Sequence, residues 1–198
     1  MNIIVKPYGS NLCYCRPDTT WERENKDFYS PECVNEIYWT PVVFARVSKA
    51  GKCVGRKFVE RYYDGVGCGM LLYCGTFTTS FDGSAGVRSL SEVVDRSSIL
   101  PHPLFQPVVL EDEKEFMVSC QHDAQGDAAL SHNIILSGAK DLLEEALCNA
   151  SQLTSLRIGD FVAMELKELQ KLACKEDGNV AVKGEFCEKE IFSFNIIF

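Results

Sequence analysis

The sequence predicts a β-rich α+β protein with one main helix, built as a single domain over residues 1–198. Three observations carry this prediction. Short runs of β-branched, aromatic and alternating apolar residues recur along the chain. One stretch, residues 137–150, clearly places apolar residues at helical spacing. A length of 198 residues, 46% hydrophobic and 24% charged, suits one folded unit with a sizeable core.

Taken in order, Asn2–Lys6 reads as a short strand. Asn11–Arg16 alternates until Pro17 and Asp18 stop it. Ile37–Val47 is β-branched and aromatic, and Pro41 within it, lacking an N–H, fits an edge or bulged strand. Val54–Tyr63 suggests a helical turn or two. Gly69–Cys74 (GMLLYC) is a continuous apolar run, as expected of a strand buried on both faces. Glycine and serine at 83–86 mark a loop. Phe105–Leu110 and Glu115–Gln121 read as paired strands around the acidic turn Glu111–Lys114. Ser137 then caps the helix. Leu142, Leu143, Ala146, Leu147 and Ala150 form its apolar face, with Glu144 and Glu145 opposite. Phe161–Leu166 reads as a strand, while residues 164–174 fit a helix as well, through Leu166, Leu169, Leu172 and Ala173. Ile191–Phe198 is the last strand.

The formal charge of −8 and pI near 5.0 disfavour nucleic acid or an anionic membrane as partner. The basic run KAGKCVGRKF (49–58) reads as a solvated loop. No apolar run approaches the roughly 20 residues of a membrane helix. MNIIVKPYG is too short an apolar start for an export signal, so the expected location is cytoplasmic. The ten cysteines then read as reduced thiols, mostly buried as small hydrophobes. His102, His122 and His132 read as structural. Nucleotide-binding, serine-hydrolase and zinc-protease signatures are missing.

Four segments, taken in order, resemble the fumarylacetoacetate hydrolase family. CYCRPD (13–18) is similar to the family's strand ending in Lys-Pro, with Arg16 in place of the Lys. NEIYWTPVVFARVSKAGKCVGRKFVERYYDGVGCGM (35–70) resembles its early strand, Gly-Lys loop, short helix and next strand. TSFDGSAG (79–86) looks like its Lys-Gly-Phe-Asp loop. SQLTSLRIGDFVAMEL (151–166) is similar to its helix end, Gly-Asp turn and strand. The resemblance implies mixed sheets rolled around one helix, and a homodimer. It also implies a family whose enzymes cleave or rearrange β-diketo and related oxo-acids, using Mg²⁺ or Mn²⁺ held by three carboxylates.

Those carboxylates are a Glu-x-Glu on the early strand and an Asp on the next. Residues i and i+2 of a strand share a face, so such a pair can grip one hard cation. The matching positions here are Thr40, Val42 and Leu71. The family's loop Lys matches Thr79, and its N-terminal Asn-Tyr…His segment has no counterpart. The resemblance therefore implies a vestigial pocket at Arg16, Thr40, Val42, Leu71, Thr79 and Asp82, with no metal and no catalytic residue. Arg16 is left as a fork for a small anion's carboxylate. Two other readings stay open. One is a hydrolase of acylpyruvate-like acids with ligands relocated to Asp64, Asp82, Glu92 or Asp95. The other is a metal-free enzyme using the Cys74 thiolate.

Overall fold

Two long strands form the spine of the molecule: β5 (Val34–Val47) and β6 (Tyr63–Phe77), paired antiparallel from Val47↔Tyr63 to Val34↔Phe77. The computed structural model describes residues 1–77, 92–123 and 129–198, with the side chains of Thr76 and Phe77 set aside. The loop expected at 83–86 lies outside these residues. Around the spine come β1 (Ile3–Lys6), β2 (Tyr14–Arg16), β3 (Trp21–Glu22), β4 (Phe28–Tyr29), β7 (Ser98–Ile99), β8 (Glu115–His122) and β9 (Leu130–Ile135). Helix α1 (Ala139–Leu153) follows, then β10 (Phe161–Glu165), β11 (Gln170–Cys174), β12 (Val180–Phe186) and β13 (Lys189–Ile197).

The strands form two mixed sheets. The larger runs β2-β1-β10-β5-β6-β7-β3, with β11 also paired to β5; the smaller runs β4-β13-β12-β8-β9. β1 and β10 are parallel, whereas β5 is antiparallel to β6, β10 and β11. Leu143, Ala146, Leu147 and Ala150 of α1 are fully buried and join the main core, which includes Val43, Ala45 and Val162 of the large sheet and Val118, Val182 and Phe192 of the small one. The opposite face of the large sheet carries a second, smaller apolar cluster: Ile3, Val5, Val42, Phe44, Leu71, Tyr73, Leu100, Phe161 and Ala163.

Several expectations change. Phe105 makes one bridge to Val66, after which Pro107–Leu110 turns into a 3-10 helix rather than a strand. Pro107, with its fixed φ and no N–H, suits a first helical turn. The cap of α1 is Gly138 at φ 66°, not Ser137, with no side-chain hydrogen bond. Residues 164–174 are strand, loop and strand; Lys171 and Ala173 pair with Tyr38 and Ile37 of β5, which overrides the helical spacing. Val54–Tyr63 contains a 3-10 helix at Arg56–Arg61. Glu144, expected on the wet face of α1, is buried, and its carboxylate accepts a 2.8 Å bond from the Tyr63 hydroxyl.

Pro41 is not on an edge strand. It pairs with Met70 on one side. On the other side β10 ends opposite Val42 and β11 begins opposite Trp39. Pro41 sits in the gap between these two partners. Its carbonyl accepts from the Leu166 N–H there, and a strand residue points its N–H and C=O to the same side. The donor that proline lacks would thus face the passing 166–169 loop.

Candidate functional site

Irregular pairing between Val34 and Ile37 sets the phase of β5. From there Tyr38, Thr40, Val42 and Phe44 share one face of the large sheet. On β6 the same face carries Gly65, Gly67, Gly69, Leu71, Tyr73 and Gly75. Four of those six are glycines because other groups press on the strand. A Cβ at Gly69 would lie 2.2 Å from the Ile99 carbonyl oxygen of β7, and one at Gly67 would lie 2.5 Å from the Phe44 ring.

Thr40 stands directly opposite Leu71, and Val42 opposite Gly69, one pair along on the same face. The structure thus brings Thr40, Val42 and Leu71 together, and all three are 0% exposed. The Thr40 hydroxyl donates to the Lys167 carbonyl at 2.7 Å. Thr79 and Asp82 lie outside the described residues.

Beside these residues lies a polar cluster of which the sequence reading named only Arg16. Glu165, the last residue of β10, pairs with Val42 and is buried. Its Oε2 accepts from the Tyr8 N–H at 3.0 Å, and its Oε1 accepts a short bond from the Tyr73 hydroxyl. A second short bond joins Tyr73 to the Tyr14 hydroxyl. A phenol has one proton to give. Since Tyr73 gives its proton to Glu165, Tyr14 must donate to Tyr73, and the donors run in one direction towards the carboxylate. Burial pushes the Tyr14 phenol up to about 12 against the pull of Arg16, and raises Tyr73 as well.

Arg16 completes the cluster. It is 1% exposed, and its guanidinium carbon lies 4.3 Å from the centre of the Tyr73 ring. Nη1 donates to the Ser97 carbonyl at 3.1 Å and to the Ser97 and Ser98 hydroxyls at 3.2 Å; Nη2 donates to the Leu72 carbonyl at 3.0 Å. Nε has no partner among the described residues. The outer edge of the guanidinium, expected to hold an anion's carboxylate, is taken up by the protein's own oxygens.

These contacts show how far the large sheet is rolled. Tyr14 on β2 and Tyr73 on β6 are four strands apart in the sheet order. In a flat sheet that separation is roughly 19 Å, yet the two hydroxyls are hydrogen-bonded. Thr40, Val42 and Leu71 sit inside the roll, and the Tyr14–Tyr73–Glu165 chain lies beside them on the same face.

This donor set does not fit Mg²⁺ or Mn²⁺. Such ions require several oxygen ligands, usually carboxylates. Thr40, Val42 and Leu71 offer a single neutral hydroxyl oxygen, and both oxygens of the neighbouring Glu165 already accept bonds. Among the described residues no group of three His, Cys, Asp or Glu is placed to hold a metal. Asp64, a candidate relocated ligand, is bound through both oxygens by Arg46 at 2.9 and 3.0 Å. Glu92 and Asp95 lie on the segment leading to β7.

The thiol reading also finds no support in the geometry. Cys74 is 3% exposed, and burial pushes its thiol up to about 12 despite the nearby Arg16. Cys68 and Cys120 are buried too, but Cys15, Cys33 and Cys53 are exposed, contrary to the expectation of mostly buried thiols. Among the histidines, His122 is buried with Nε2 2.9 Å from the Leu172 carbonyl, His132 packs edge-on to Trp39, and His102 lies beside Trp21.

No family model matches the sequence, and no curated protein matches it. Solved structures do match in fold. The fumarylpyruvate hydrolase of Pseudomonas aeruginosa, in complex with Mn²⁺ and pyruvate, superposes with a TM-score of 0.71 at 13% identity, over 100% of this chain and 90% of that one. The maleylpyruvate hydrolase of Sphingobium sp. SYK-6 gives 0.70 at 12% identity, over 99% and 70%. A protein assigned to the fumarylacetoacetate hydrolase family from Yersinia pestis CO92 gives 0.70 at 13% identity, over 99% and 92%. The rolled mixed sheets and the one main helix of the described residues match that architecture, and the chain has the fold of the fumarylacetoacetate hydrolase family.

Proposed function

We propose that this chain is a non-catalytic, single-domain protein on a hydrolase fold, acting as a structural partner in a cytoplasmic homodimer. One observation carries the reading. Thr40, Val42 and Leu71, the positions that the family resemblance assigns to the metal carboxylates, adjoin one another, fully buried, inside the rolled sheet. Three carboxylates there would cost several kcal/mol per ion without a compensating cation. Uncharged side chains, with the Thr40 hydroxyl bonded to the Lys167 carbonyl, fill the same space at no such cost. The proposal is not extended to a small-anion site on the outer edge of Arg16, because binding there would have to displace Ser97, Ser98 and the Leu72 carbonyl.

The test is metal analysis of the purified protein, with calorimetric titration of Mg²⁺ and Mn²⁺ and an ultraviolet assay on a panel of acylpyruvates. The expected result is no stoichiometric divalent ion, no binding heat and no turnover. EDTA-sensitive loss of acylpyruvate absorbance would overturn the proposal in favour of a hydrolase with relocated ligands. Light scattering checks the dimer separately.

A further inference from the structure

We infer that Arg16, Tyr14, Tyr73 and Glu165 form a charge-balanced centre that holds the rolled sheet closed without any divalent cation. Arg16 is fully buried and has no carboxylate within ion-pairing distance among the described residues. Glu165 is buried on the same face and has no cation bound to it directly among the described residues. Each charge alone would be costly in the interior. Tyr73 joins them: the guanidinium lies over its ring, and its hydroxyl donates to the carboxylate. One cation and one anion thus share a single phenol as their bridge, and the cluster sums to zero.

The connections cover the whole roll. Arg16 ties β2 to the β6 backbone at Leu72 and to β7 at Ser98, with a further bond to Ser97. Tyr14 ties β2 to the Tyr73 hydroxyl, and Glu165 ties β10 to both Tyr73 and the Tyr8 N–H. Strands that are not neighbours in the sheet are therefore joined across its inner face. A divalent ion held by carboxylates from several strands would make the same kind of connection. Here organic side chains make it, beside positions that carry no carboxylate.

This inference rests on the reading of Thr40, Val42 and Leu71 given above, but its test reads stability rather than metal content or turnover, so the two can fail separately. Thermal unfolding is measured in EDTA and in millimolar Mg²⁺ or Mn²⁺. The midpoint is expected to stay the same within a degree. A midpoint that falls in EDTA and recovers with the ion overturns the inference. A double-mutant cycle then examines the bridge. Tyr73→Phe and Glu165→Gln should each raise the unfolding constant about 10- to 100-fold, as for a bond to a charged group. The double variant should fall short of their product by about 5-fold or more. Effects that multiply within 2-fold mean that no such bridge exists. If Tyr73→Phe gives no folded protein, the cycle of Tyr14→Phe with Glu165→Gln replaces it under the same criterion, because Tyr14 acts on the carboxylate only through Tyr73.

Discussion

Two arginines on the large sheet solve the same problem in opposite ways. Arg46, near the far end of β5, forms a two-pronged pair with Asp64 at 2.9 and 3.0 Å, and both side chains are close to half exposed. Arg16 is sealed inside the roll, has no carboxylate against it among the described residues, and relies on carbonyls, hydroxyls and a tyrosine face. The visible ion pair is the weaker device, since water already solvates both of its charges. The buried guanidinium has no such fallback. Its surroundings must supply every contact, so its removal leaves Glu165 buried with its balancing charge gone.

The sharpest way to test that contrast is to add charge to the interior. The triple variant Thr40→Glu/Val42→Glu/Leu71→Asp places three acids beside one another inside the roll, and in EDTA it should lose about 5 kcal/mol or more. Millimolar Mn²⁺ should restore part of this in the variant while leaving the parent unchanged, as read by thermal unfolding. Absence of any rescue would mean that the three positions do not converge on one point. Next in size, Arg16→Met should cost about 3–5 kcal/mol by urea unfolding. A loss near that of a surface arginine would erase the distinction between the two regions.

Alkaline pH gives a smaller effect with a defined sign. The folded protein raises the Tyr14 phenol to about 12, against about 10 in an unfolded chain. Folding therefore favours the neutral phenol. That contribution is complete below pH 10 and is lost as pH rises from 10 through about 12. Stability should fall over this window, and Tyr14→Phe should make the fall shallower. The smallest effect belongs to Arg46→Ala, with a loss of roughly 0–1 kcal/mol that shrinks further in high salt.

The fold was largely legible because β5, β6 and β10 are mostly apolar and buried and β13 buries alternate residues, so all four show as runs of β-formers. β9 escaped notice because it is mostly exposed and lacks alternation. β12 does alternate, burying Val180, Val182, Gly184 and Phe186, but Gly184 hides the pattern; a Cβ there would meet the Phe192 ring at 2.3 Å. The candidate site was legible only in part. Spacing alone put Thr40 and Val42 on one face. The Glu165 contact was not legible, because its partner Tyr73 lies 92 positions away in sequence. One signal for it was present: glycine at 65, 67, 69 and 75 marks a compressed face of β6 and leaves Leu71 and Tyr73 as the bulky side chains on it.

The irregular pairing at the start of β5 also bears on how this sequence can drift. Between Val34 and Ile37 the ladder already skips in register, so a lost or gained residue there can be absorbed by the slack. Between Tyr38 and Arg46 the pairing is continuous. One deletion in that stretch would turn Val42 and Phe44 outward from their cluster and drive their neighbours in. Length changes in related chains should therefore collect before Ile37 and be purged after it.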